Sequence, residues 1–135
     1  MNKHLGPRLV LLLGWVLGIL LPLYSFRRFS PTYQAAFDWV FPTDASHVLM
    51  HTFLYAVLAN LLASFLAQII RSSRRALAGA LVGVAIVAAL QEAVQMGCEH
   101  VPLGPDEIFD LGVDFNGGVL GILLHRWISR RQTQA

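Results

Sequence analysis

Long apolar runs separated by short polar gaps set the pattern of this chain. Four runs stand out, at about Arg8 to Phe26, His47 to Ile70, Ala76 to Met96 and Ile108 to Ile128. A helix needs roughly 20 mostly apolar residues to cross hydrocarbon. The last run is the least apolar, because Asp110, Asp114 and Asn116 interrupt it, but they fall at one end, where charge costs least. The pattern predicts an all-α polytopic membrane protein: a compact bundle of four transmembrane helices in a single domain over residues 1–135. Between the first two runs, Ser30-Pro31 reads as a helix start, a capping serine followed by a first-turn proline. Tyr33, Phe37 and Phe41 then recur every four residues, so a short interfacial helix is expected there.

Composition agrees with that reading. Of the 135 residues 56% are hydrophobic and only 13% charged, whereas a soluble domain carries roughly a quarter charged residues. The formal charge of +2 does not point to nucleic acid, since the arginines fall at helix ends and not along one face. Cys98 is the only cysteine, which excludes an internal disulfide and a cysteine-rich metal site. The first run is expected to be an uncleaved anchor, not a signal peptide, because Leu23, Tyr24 and Phe26 occupy the region where small residues would mark cleavage.

Lysine and arginine set the expected orientation. In a four-span chain, Lys3, Arg8, Arg71, Arg74, Arg75, Arg126, Arg130 and Arg131 share one side, and only Arg27 and Arg28 lie on the other. Basic loops stay cytoplasmic, so both termini are expected inside a bacterial inner membrane, with residues 97–107 outside as a loop.

The acids are distributed differently. Six of the eight carboxylates, Glu92, Glu99, Asp106, Glu107, Asp110 and Asp114, fall within residues 91–118. At about 1.5 Å rise per residue, His51, Glu92 and Asp114 arrive at one depth from three different helices. His47, His51 and Tyr55 share a helix face at i, i+4, i+8. Glu92 and Gln95 are neighbours at i, i+3, and Asp110 and Asp114 share a stripe with Gly117 and Gly121. Intramembrane ionisable groups point to function. The expected pocket is therefore His47, His51, Tyr55, Glu92, Gln95, Asp110 and Asp114, with His51, Glu92 and Asp114 as candidate acid/base groups. Asp106 and Glu107 are read as favouring a helix N-terminus, and Glu99 and His100 as loop surface. Asn60, Ser64 and Gln68 are read as interhelical glue, Asn116 as a packing contact, and His125 as part of the cytoplasmic interface. Gly14/Gly18, Gly79/Gly83 and Gly117/Gly121 each form G-x-x-x-G, the spacing that lets helix backbones approach closely.

At these residues the chain resembles the VanZ-like family of small bacterial membrane proteins, named for a protein associated with teicoplanin resistance. The matching elements are His51 and Tyr55 in "HTFLY", Glu92 and Gln95 in "EAVQ", and Asp110, Asp114, Gly117 and Gly121 in "DLGVDFNGGVLG". They cover about Asp44 to Leu124. Asp114 stands where the family usually has asparagine, and "CEHVPLGPDEIF" lacks the family's loop arginine, so its contact is either lost here or supplied by Arg27 or Arg28. A lysine often found near the start of the second span is also absent, with His47 nearby instead. The resemblance implies an envelope protein whose outward-facing pocket takes a lipid headgroup, a cell-wall precursor or a glycopeptide-type ligand, with a contribution to antibiotic resistance.

The competing reading is an intramembrane enzyme on a lipid-linked substrate, with His51 as base and Glu92 or Asp114 as acid or metal ligand. No nucleophile elbow or H-E-x-x-H motif accompanies these residues. A carrier is disfavoured by the lack of an inverted repeat. His47, His51, Glu92, Asp110 and Asp114 are donors suited to zinc or iron, but their spacing matches no known site motif, so no metal is assigned. Neither a cofactor nor an oligomeric state follows from the sequence.

Overall fold

The computed structural model describes residues 5–21, 26–27 and 29–134. They form five helices and no strand: α1 (Leu5–Leu20), α2 (Pro31–Val40), α3 (Asp44–Ile69), α4 (Ser73–Glu99) and α5 (Pro105–Gln134). Three stretches, Asp44–Ile69, Ser73–Glu99 and Pro105–Arg131, are long and apolar enough to cross a membrane. α1, at 16 residues, rises only about 24 Å, short of the roughly 30 Å hydrocarbon thickness. It begins before the expected Arg8 and stops well before Phe26. The stop has a sequence cause: Leu21 precedes Pro22, and a residue before proline is driven out of the helical region. Pro22 to Ser25, Arg28 and Lys3 lie outside the described residues.

The helix ends are set by local chemistry. Ser30 caps α2 by accepting from the Tyr33 N–H, with Pro31 in the first turn. Thr43 and Ser46 form a reciprocal capping box at the start of α3. α4 closes on His100 in the left-handed conformation (φ 58°), so the expected loop from residue 97 is shorter: Gly97, Cys98 and Glu99 belong to the last turn of α4. Pro105 opens α5, and the Gly104 N–H donates to Glu107 Oε2 at 2.8 Å, a side chain reaching back over its own helix start.

α3 is the central helix and packs against α1, α4 and α5. Its buried positions, with those of α4, are mostly small: Ala59, Ala63, Ala76, Ala80, Val84 and Ala88. Small residues matter where packing, and not water exclusion, holds helices together. Large apolar side chains such as Leu17, Leu49, Phe53, Val82, Ile86 and Leu123 point outward, an arrangement compatible with lipid. α1 docks on α3 through Trp15, whose Nε1 donates to the Leu54 carbonyl at 3.0 Å.

The three G-x-x-x-G pairs behave differently. Gly117 and Gly121 lie against the α3 backbone: a Cβ at Gly117 would stand 2.6 Å from the Thr52 carbonyl oxygen, and one at Gly121 would meet the Ala56 carbonyl. Among the described residues, Gly79 and Gly83 face the Leu66 and Leu62 side chains, and Gly14 and Gly18 have nothing within 4 Å. The expectation of close packing holds for Gly117/Gly121 against backbone and for Gly79/Gly83 against side chains, and is corrected for Gly14/Gly18. Gly118, not singled out from sequence, also packs tightly, against Val84.

Candidate functional site

All the candidate groups gather at the end of the bundle where α3 and α5 begin and α4 finishes. Asp114 is fully buried, and its Oδ1 lies 2.7 Å from His51 Nδ1. A carboxylate can only accept, so His51 donates through Nδ1 and its Nε2 is left for other chemistry. The Gly117–Thr52 backbone contact, one turn below, holds α5 close enough to α3 for this pair to form. His47 sits one turn above His51, with ring centroids 4.5 Å apart, and Tyr55 one turn below, at 6.5 Å.

Glu92 is buried beside them, only 2% exposed. Neither of its carboxylate oxygens finds a hydrogen-bond partner among the described residues. A buried carboxylate in that state is costly and calls for a donor or a cation. Asp114 Oδ2 also lacks a partner within hydrogen-bonding geometry, although the Tyr55 hydroxyl is close enough to interact with the carboxylate. Tyr55 donates instead to Gln91 Oε1 at 3.3 Å, and Gln91 Nε2 donates to Gln95 Oε1 at 3.0 Å. Gln91 is thus a polar member of the site that sequence reading passed over; its place one residue before Glu92 was the available signal.

Two cavities meet here. A cleft of about 180 Å³ runs between α1, α2, α3 and α4, lined by Gly18, Ile19, Leu54, Val94 and the ring stack Tyr33, Phe37 and Phe41, and it reaches His47, His51, Tyr55 and Gln91. A wider chamber of about 840 Å³ opens above, lined by Asp38, Asp44, Glu92, Glu99, Asp106, Glu107 and Asp110. Phe37, Phe41, His47 and Gln95 border both. Seven of the eight carboxylates therefore line one chamber, with Asp114 directly behind it. Arg27 is also in the wall, ion-paired to Asp38 at 2.8 Å. Glu99 corrects its assignment as loop surface, since it lies in α4 and faces this chamber.

The opposite end is basic. Arg71, Arg74 and Arg75 flank the α3–α4 connection and Arg126, Arg130 and Arg131 the last turns of α5, while Arg8 reaches the Ser64 carbonyl at 3.5 Å. Nearby, His125 Nδ1 is 2.9 Å from Asn60 Oδ1 and 3.4 Å from Ser64 Oγ. His125 is therefore an interhelical contact between α3 and α5, and not simply an interface residue. Gln68 and Asn116 do not bridge helices: each donates to a carbonyl of its own helix, Ser64 and Gly112.

Comparison with protein-family models, curated proteins and solved structures gives no match to this chain.

Proposed function

We propose that the chain is a VanZ-like integral membrane protein of the bacterial cell envelope, crossing the inner membrane four times with both termini in the cytoplasm. Its site binds an amphiphile, with the apolar part in the cleft and the polar head in the acidic chamber. The observation that carries the reading is the junction of the two cavities at His47, Gln95, Phe37 and Phe41. The motif order His51/Tyr55, Glu92/Gln95, Asp110/Asp114 and Gly117/Gly121 supports the family. α1 serves as the fourth span despite its length, because Arg8 can snorkel and a bilayer thins around a short helix. The excess of carboxylates favours a head bearing an amine: a lipid headgroup, a lipid-linked cell-wall precursor or a lipid-modified glycopeptide. A role in antibiotic resistance is part of the same proposal.

Native mass spectrometry from mild detergent tests the ligand. The wild type should retain an amphiphile. Gly18→Phe, which places a ring where a Cβ meets nothing within 4 Å, and Glu92→Gln should each lower its occupancy about tenfold or more, the scale of one charged contact. Equal occupancy in all three proteins, with unchanged elution, would rule the cleft and chamber out as the binding site.

Orientation has its own test. Cys98 is exposed in the last turn of α4, and a membrane-impermeant maleimide should label it in intact spheroplasts, with Cys98→Ser as the blank. A cysteine at Gly104 in the Cys98→Ser background should behave the same way. Labelling of both only after permeabilisation would put the chamber on the cytoplasmic side.

The His51–Asp114 dyad favours a second reading, an acid/base enzyme acting on the bound amphiphile, in which Asp114 orients His51 as a proton-transfer group. His51→Asn would then leave the amphiphile bound and change its chemical fate.

A further inference from the structure

His47 and His51 occupy i and i+4 of α3, and Asp110 reaches them from α5. One ring nitrogen of each histidine and one Asp110 carboxylate oxygen lie within 4.8 Å of one another. From this juxtaposition we propose that the three residues bind a divalent transition-metal ion of the zinc type. Two imidazoles and one carboxylate are the donor set of catalytic zinc sites and of two-histidine, one-carboxylate iron sites. Four-coordinate zinc, with bonds of about 2.05 Å, places its donors roughly 3.3 Å apart. Side-chain rotation has to close the remaining gap, and His47 and Asp110 are only partly buried.

Two further observations point to a cation at this place. The Asp114 carboxylate holds His51 Nδ1 at 2.7 Å, which leaves Nε2 as the coordinating nitrogen; a carboxylate behind a ligating histidine is the common second layer of metal sites. Independently, Glu92 is only 2% exposed, neither of its oxygens has a hydrogen-bond partner among the described residues, and it lines the same chamber as His47 and Asp110. A cation beside it supplies the charge that its burial otherwise leaves uncompensated. Three protein donors leave at least one coordination position for water or an oxygen of a ligand.

The assignment rests on the donor geometry and not on the proposed amphiphile, so the two fail separately: zinc without amphiphile removes only the latter, and amphiphile on metal-free protein only the former. The test uses full-length protein in detergent, stripped with chelator and reloaded with zinc, then measured by elemental analysis and by competition with a chromophoric chelator. The expected result is one zinc per chain. His47→Gln and Asp110→Asn, both at partly exposed positions, should weaken zinc more than a hundredfold, and Asp114→Asn, acting through His51, by about ten- to a hundredfold. Cobalt(II) in place of zinc should give the intense visible bands of a four-coordinate site, lost in His47→Gln. Substoichiometric zinc in the wild type, unchanged affinity in His47→Gln or Asp110→Asn, equal loss in His100→Gln or His125→Gln, or displacement of the zinc by excess calcium would overturn the proposal. The last outcome would mark a diffuse carboxylate cluster and not an imidazole site.

Discussion

Gly121→Leu is expected to separate α5 from α3 and to abolish the folded bundle, with loss of monodisperse elution and of a cooperative thermal transition in detergent. A Cβ at this position would run into the Ala56 backbone carbonyl, and backbone, unlike a side-chain tip, has no rotamer by which to yield. Overpacking of a core by a few atoms costs about 1–3 kcal/mol when neighbours can shift; here the two helices themselves must move, so about 3 kcal/mol is the lower end of the expected cost. The small residues that line the rest of the core offer no compensating bulk. Gly14→Ala is the matched comparison. It lies in the same kind of motif but has nothing within 4 Å, so alanine should be neutral or stabilising by up to about 1 kcal/mol through helix propensity. Equal thermal stability for Gly121→Leu and wild type would place the α5 seam elsewhere.

The second large effect belongs to the buried dyad. Asp114→Val leaves the His51 Nδ1–H aimed at an apolar wall, and removing one member of a buried pair typically costs about 3–5 kcal/mol. Replacing both members by apolar groups removes the orphaned donor as well. The double variant His51→Phe/Asp114→Val should therefore be less destabilised than the sum of its singles, by about 1 kcal/mol or more, the coupling expected of residues in direct contact. Denaturant titrations of the four proteins in mixed micelles measure this directly. Additive losses would mean that the 2.7 Å contact contributes nothing specific to the fold. Either way the double variant retains the helix seam, so it also separates stability from ligand retention.

How far was this arrangement legible in the sequence? The meeting of His51, Asp114 and Glu92 was, because helix rise and alternating chain direction fix depth, and i, i+4 spacing fixes the face. Ser30-Pro31 and the acidic start of α5 were readable for a similar reason: caps are local chemistry. What depends on a partner was not. G-x-x-x-G states that a backbone can be approached but not that anything approaches it, so Gly14 and Gly121 look alike until α3 is seen beside one and open space beside the other. The contact of His125 with Asn60 likewise joins residues 65 apart in sequence, and no spacing rule pairs them. Glu99 was misplaced because a helix that ends in a left-handed His100 continues past the point where its apolar pattern stops. The end of α1 at Leu20 was in plain view, one residue before the position that Pro22 restricts, but the hydrophobic run continues through it and concealed the boundary.

The acidic chamber has a consequence for how anything enters it. A sphere of its volume, 840 Å³, is roughly 12 Å across, comparable with the screening length of about 8 Å in physiological salt. Carboxylates that are near neighbours in the chamber therefore feel one another, those on opposite walls are partly screened, Asp38 is already balanced by Arg27, and the field fades soon after the mouth. For the proposed amine-bearing ligand such a space would work as a local ion exchanger: counter-cations would balance the carboxylates, and the ligand would release some of them on entry. Association is then an exchange whose strength is set jointly by the ligand and by the salt it displaces, and the same protein discriminates more sharply in dilute surroundings than in concentrated ones.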